Sequence, residues 1–270
     1  MTPYSVRSKW NNNETTPVPC GRCPNCVKRK VSGWSFRLMQ EDKRSSISSF
    51  ITLTYGTKTV PLSHNGFMSL NKRDVQLFFK RLRKALGPDA ERIKYYAVGE
   101  YGGKTSRPHY HVILFNCPLD KIQTAWQHGQ VHYGQVSGAS VGYTLKYLSK
   151  GGWRPRHQND DREPTFALQS KGLGANYLTD AIIDWHHADL CSRMYVVLEG
   201  GQKVSMPRYY KDKVYSLAQR KAVGKITLAE MVKRKDLLIS KDTEYFRDKA
   251  ESDKAAFIRQ QYQSSLNETL

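Results

Sequence analysis

Apolar and polar residues alternate with a period of two through Phe50-Ile-Thr-Leu-Thr-Tyr55, which predicts a strand. The period then lengthens. Val75, Leu77, Phe78, Phe79, Leu82 and Leu86 recur at helical spacing, with Asn71 placed to cap the helix and Gly87-Pro88 to end it. Ile93–Tyr101 and His109–Phe115 read as two further strands joined by a Gly- and Lys-rich turn, Gly102–Pro108. Pro108 is tolerated because it stands at the start of its strand. A short helix over Leu119–His128, a short strand over Gln130–Val136 and a helix over Ala139–Lys150, closed by Gly151-Gly152, complete the series. Upstream, Val27–Asp42 predicts a helix whose Trp34, Phe36 and Leu38 can pack on one face. The order β-α-β-β-α-β-α suits an α+β class with a central, mostly antiparallel sheet and helices packed on it.

The character changes after Gly152. Trp153–Glu163 is polar and proline-bearing and reads as a loop or linker. The mixed-charge tract from Lys211 predicts a mainly helical C-terminal extension, helical from about Leu228. The expected division is residues 1–45, a leader with a cysteine knuckle and a helix; 46–152, the core; and 153–270, the extension.

Charge narrows the class of partner. The chain of 270 residues carries 43 Lys and Arg against 24 Asp and Glu, a formal charge of +19, which points to a polyanion such as nucleic acid. Apolar residues at 39% and aromatics at 11% exclude a disordered chain. No apolar run approaches the ~20 residues of a membrane span, and no apolar signal-peptide core is expected, so the reading is no membrane and a cytosolic setting. Five cysteines, three of them crowded at Cys20, Cys23 and Cys26, make poor disulfide arithmetic and suit a reduced compartment.

The sharpest chemical signal is Arg107-Pro-His109-Tyr110-His111. Residues two apart on a strand share a face, so His109 and His111 point one way and Tyr110 the other. Two imidazoles on one face can bind one divalent metal, and Glu100 on the preceding strand can face them across the ladder as a third ligand. The plainer alternative is a pair of half-buried histidines beside a solvated glutamate. The second signal is Tyr143, Lys146, Tyr147 and Lys150, which share an arc of roughly 100° on a helix. Such a face can present two phenols to a phosphodiester, or it can pack its tyrosines with their hydroxyls outward.

Together these motifs resemble the HUH endonucleases that initiate rolling-circle replication: a histidine pair flanking one hydrophobic residue, here Tyr110, followed by a Tyr-x-x-x-Tyr helix. Phe50–Tyr55 looks like that family's first motif, and histidines before tyrosines is the order of replication initiators rather than conjugative relaxases. Pro19-Cys-Gly-Arg-Cys-Pro-Asn-Cys26, Gly99-Glu-Tyr-Gly102, Arg107-Pro-His-Tyr-His111 and Pro207-Arg-Tyr-Tyr210 look like the initiators of microviruses, the gokushovirus-like branch above all. The resemblance covers Pro19–Lys150 well and the last third only in short phrases. It implies the HUH endonuclease fold, metal-ligand roles for His109 and His111, alternating nucleophiles at Tyr143 and Tyr147, and a phosphate or leaving-group role for Lys146, which Lys150 could repeat. Glu100 fits the third ligand position, which varies in that family. The implied activity is metal-dependent nicking and rejoining of single-stranded DNA at an origin through a 5′-phosphotyrosine. Its implied partners are that origin DNA and the host helicase and polymerase, in the host bacterial cytoplasm. Two nitrogens and a carboxylate suit Mn²⁺ at least as well as Mg²⁺.

Other features are weaker. Gly99-Glu-Tyr-Gly-Gly103-Lys104-Thr105 has three residues where a P-loop needs four between its glycines, and a strand follows where a helix is required, so no intrinsic ATPase is expected. Cys20, Cys23 and Cys26 supply three of the four ligands of a structural Zn²⁺; Cys117, Cys191 or a distant His would complete it, and an iron–sulfur cluster or plain buried thiols are the alternatives. Other functions that fit the residues are a plasmid initiator or transposase of the same chemistry and, in a different class, a non-catalytic single-strand nucleic-acid binder.

Overall fold

A computed structural model describes residues 4–7, 15–18, 21, 23–146, 148 and 157–239, and scattered positions up to 259. The elements are β1 (Tyr4–Arg7), β2 (Thr15–Val18), α1 (Pro24–Asp42), β3 (Ser48–Thr54), α2 (Lys72–Leu86), β4 (Lys94–Tyr101), β5 (Pro108–Phe115), α3 (Ile122–Ala125), β6 (Val131–Gly134), α4 (Gly138–Lys146), β7 (Phe166–Gln169), α5 (Asp180–His187), β8 (Tyr195–Val197), β9 (Lys203–Ser205), α6 (Arg208–Val214) and α7 (Leu217–Ile239). The chain divides into two compact units. One is Trp34–Tyr177; the other draws on Met1–Gly33 and Leu178–Ser264.

Trp34–Tyr177 is built on a five-stranded sheet of order β6-β3-β5-β4-β7, antiparallel throughout. This is the expected α+β architecture. Its edge strand β7 comes from beyond Gly152, and its four residues give too short a run for the alternation to register in sequence. β3 shows period two directly, each residue buried on one face alternating with one half-covered on the other. Ile51, Leu53, Tyr110, Val112, Leu114 and Ala97 form the buried face and pack against Val75, Phe78, Phe79 and Leu82 of α2, with Ile122, Ala125 and Trp126. Those four α2 residues fall on one stripe at three- and four-residue spacing, which is why this helix packs as it does. Asn71 caps it by accepting a hydrogen bond from Arg73 N, and Gly87, at φ 80°, turns the chain away. The opposite face of the sheet is covered by the second half of α1, with Trp34 against Tyr96 at 5.0 Å between ring centroids, and by α4.

Two buried phenols in this layer are paired, as burial requires. Tyr110 Oη lies 2.8 Å from Tyr55 Oη and donates to Asn71 O, while Tyr55 donates to Asp74 at 2.8 Å. Burial pushes both phenols well above their ordinary value. The described part of the loop before β7 is mostly exposed but buries one ion pair. Arg162 makes a two-pronged pair with Asp160 at 2.8 and 2.7 Å, both buried, and its guanidinium lies 4.8 Å over the Tyr101 ring.

The helix expected over Leu119–His128 ends at Ala125. Trp126 leaves helical geometry so that its indole enters the core and donates to Thr54 O at 2.9 Å. Gly129 then passes so close to β3 that a Cβ there would lie 2.2 Å from Thr54 O and 2.6 Å from Gly56 N, both backbone atoms. Gly129→Ala is therefore expected to destabilise the fold by about 1–3 kcal/mol. A urea midpoint equal to that of the wild type would refute the tight approach.

In the other unit, β1 pairs with β2 and β8 with β9, both antiparallel. α7 begins at Leu217 rather than near Leu228: the basic residues Arg220, Lys221 and Lys225, with Gly224 among them, hid a run that holds no proline. No helix among the described residues is long and apolar enough to cross a membrane.

Candidate active site

The site grows from the β4–β5 hairpin. The turn between the strands sets a register in which Glu100 lies directly opposite His109 and Val98 opposite His111. On its other side β5 pairs with β3, which puts Thr54 opposite His109 and Thr52 opposite His111. Parity then places Glu100, His109, His111, Thr52 and Phe50 on one face and sends Tyr110 into the core on the other.

His109 Nε2 and His111 Nε2 stand 3.5 and 3.2 Å from the same carboxylate atom, Glu100 Oε1. The three ligand atoms lie within 4.8 Å of one another, and this is the one such group found among the described residues. The rear nitrogens are held from behind. His109 Nδ1 lies 3.2 Å from Arg107 O, and because a carbonyl only accepts, Nδ1 is the donor there and Nε2 is the nitrogen that faces Glu100. His111 Nδ1 lies 3.0 Å from Thr52 Oγ1. A rear contact that orients the ring is the usual companion of a metal-binding imidazole. The donor set of two imidazole nitrogens and one carboxylate oxygen, all half-buried or buried, therefore fits a divalent ion.

Arg107 has two roles at this corner. Its carbonyl orients His109, and its guanidinium donates to Tyr55 O at the end of the β3 segment, 2.7 Å away.

α4 brings the first tyrosine to this face. The Tyr143 ring stands edge-on to His111, centroids 4.9 Å apart and planes at 90°, and also edge-on to Phe50 at 6.5 Å. Phe50 in turn stacks on His111 at 5.7 Å. Tyr143 is 44% exposed, whereas Val141, Thr144 and Leu145 of the same helix are buried. Lys146, the last residue of α4, is half-buried. Tyr147, Lys150 and Cys20 lie outside the described residues. Cys23 and Cys26 stand just before and just inside the start of α1, half-buried, and Cys117 is buried beyond the end of β5 with its thiol pushed up to about 11 by burial. Cys191 is exposed, and His187, a possible fourth partner by spacing, has its Nε2 2.7 Å from Val214 O.

Sequence reasoning missed Phe50, Thr52 and the backbone role of Arg107. Alternation in Phe50–Tyr55 carries the signal that Phe50 and Thr52 share a face. Which face it is follows only from the insertion of β3 between β6 and β5.

Comparison with known proteins bears on the same stretch. A family model described as replication-associated protein ORF2 matches residues 48–152, from the first residue of β3 to past the end of α4. The replication-associated protein VP4 of Bdellovibrio phage phiMH2K is 29% identical over an alignment covering 87% of this chain and 82% of that protein. Over this stretch the chain is similar to phage replication-associated proteins. Replication-associated protein ORF2 of Spiroplasma virus 4 is 27% identical, and ORF4 of Chlamydia phage 1 is 24% identical. These two alignments cover 66% and 73% of this chain, and the chain spans only 61% and 53% of those two proteins. No solved structure matches the chain.

Proposed function

We propose that this protein initiates phage DNA replication by nicking and rejoining single-stranded origin DNA through a covalent 5′-phosphotyrosine, in the rolling-circle manner. The observation that carries this reading is the convergence of Glu100, His109 and His111 on one point, with the Tyr143 ring against His111. Glu100, His109 and His111 would hold a divalent cation, Mn²⁺ or Mg²⁺, which would supply Lewis-acid chemistry to the phosphodiester. Tyr143 and Tyr147 act as the nucleophiles. An ordinary phenol has a pKa of about 10, so a cationic lysine one turn away, Lys146, favours the phenolate in the attack. Lys150 serves Tyr147 in the same way. The phenolic oxygen forms a bond to phosphorus as the P–O3′ bond breaks, and the proton lost by the phenol balances the one gained by the released 3′-hydroxyl. The ester retains the energy of the phosphodiester, so rejoining needs no nucleotide. Tyr55 and Tyr110 are excluded as nucleophiles because burial holds both protonated on the far side of the sheet.

The +19 charge supplies the grip on DNA. The free 3′-hydroxyl is a primer for a host polymerase, and opening duplex DNA falls to a host helicase in the bacterial cytoplasm. Cys20, Cys23 and Cys26 would hold a Zn²⁺ that serves folding rather than the chemistry.

The deciding experiment incubates the protein with an internally labelled single-stranded oligonucleotide from its own origin region and resolves the products by denaturing electrophoresis. A protein-linked band is expected with Mn²⁺ and not with chelator. Binding without any band that survives denaturation would replace this reading with that of a non-catalytic binder.

A further inference from the structure

Resting on the metal reading above, we infer that Thr52 is the positioning residue that makes His111 a metal ligand. A cation needs the lone pair on His111 Nε2, so the imidazole proton must sit on Nδ1. The atom waiting there is Thr52 Oγ1, 3.0 Å away, set by a register in which Thr52 is the direct cross-strand partner of His111. The two histidines differ in this respect. Behind His109 stands a carbonyl, which only accepts and fixes the tautomer without help from any side chain. Behind His111 stands a hydroxyl supplied by a single side chain, Thr52.

The consequence of removing that oxygen follows from what lies in front. His111 is 7% exposed, so an Nδ1–H deprived of the Thr52 hydroxyl carries a desolvation cost. The ring would then keep its proton on Nε2 and donate it to Glu100 Oε1, 3.2 Å away. That single proton withdraws two ligands together, the His111 lone pair and the carboxylate oxygen that both histidines face. Phe50, stacked on His111 at 5.7 Å with planes 10° apart, blocks the ring from turning to seek another partner.

The test compares Thr52→Val, which keeps the shape and the branched β-carbon but loses the hydroxyl, with Thr52→Ser, which keeps the hydroxyl. Mn²⁺ alone is titrated into each protein by calorimetry, with thermal melting and oligonucleotide binding measured without metal. Thr52→Val is expected to bind Mn²⁺ about 10–100-fold more weakly, Thr52→Ser close to wild type, with the metal-free melting temperature and DNA binding of both near wild type. Equal Mn²⁺ affinity in Thr52→Val and wild type would overturn the role of Thr52 and leave the metal reading standing. So would weakening in Thr52→Ser as large as in Thr52→Val, because the hydroxyl would then not be the cause. A wild-type protein that takes up no Mn²⁺ overturns the metal reading itself, and this inference with it.

Discussion

Replacing either histidine, His109→Ala or His111→Ala, is expected to reduce strand cleavage more than about 100-fold while single-strand binding stays within about threefold. The two functions separate because they use different groups. On the proposed reading, cleavage would depend on the two Nε2 atoms that face Glu100 Oε1 at 3.5 and 3.2 Å, and binding on basic side chains spread along the chain. His109→Ala is the cleaner of the two. Its side chain is 20% exposed, whereas the His111 ring fills the space between Phe50 and Tyr143, and truncating it also opens a cavity. Thermal melting of both variants distinguishes lost folding from lost chemistry. Cleavage at the wild-type rate in a folded His109→Ala protein would remove the histidine pair from the reaction.

The second large effect concerns the tyrosines. Tyr143 and Tyr147 are one helical turn apart in sequence, so a small shift of the DNA would carry the phosphate from one to the other. A single Phe substitution at either position is expected to leave one covalent adduct, at reduced rate, and to abolish the second transfer, which needs a free phenol while the other is esterified. Tyr143→Phe combined with Tyr147→Phe should form no adduct and still bind DNA. A strand-transfer assay on a substrate carrying two cleavage sites reads this directly. Complete transfer in one single variant would show that a lone nucleophile suffices.

Much of this site was legible because it depends on short-range rules. His109 and His111 share a face by strand parity alone, and Glu100 meets them because a hairpin turn fixes register over a few residues. The caps of α2, Asn71 and Gly87, follow from local chemistry in the same way. What sequence did not disclose depends on pairings between distant segments. Thr52 meets His111 because β3 runs between β6 and β5, an order that local pattern does not encode. Arg162 reads as one more surface charge until Asp160, Tyr101 and Phe67 enclose it. The Tyr55–Tyr110–Asp74 chain joins a strand, its cross-strand neighbour and a helix, so no single window contains it. Polar residues in such networks look solvated in sequence because the groups that satisfy them lie many residues away.

The most direct measurement is the position of the nucleotide on the protein. Adduct formed with Mn²⁺ on a single-stranded origin oligonucleotide would be trimmed with nuclease, digested with protease and sequenced by tandem mass spectrometry. The expected result is a nucleotide linked through its 5′-phosphate to Tyr143 or Tyr147, and to no other residue. A nucleotide on any other tyrosine, or on a lysine or serine, would contradict the assignment of Tyr143 and Tyr147 as the nucleophiles.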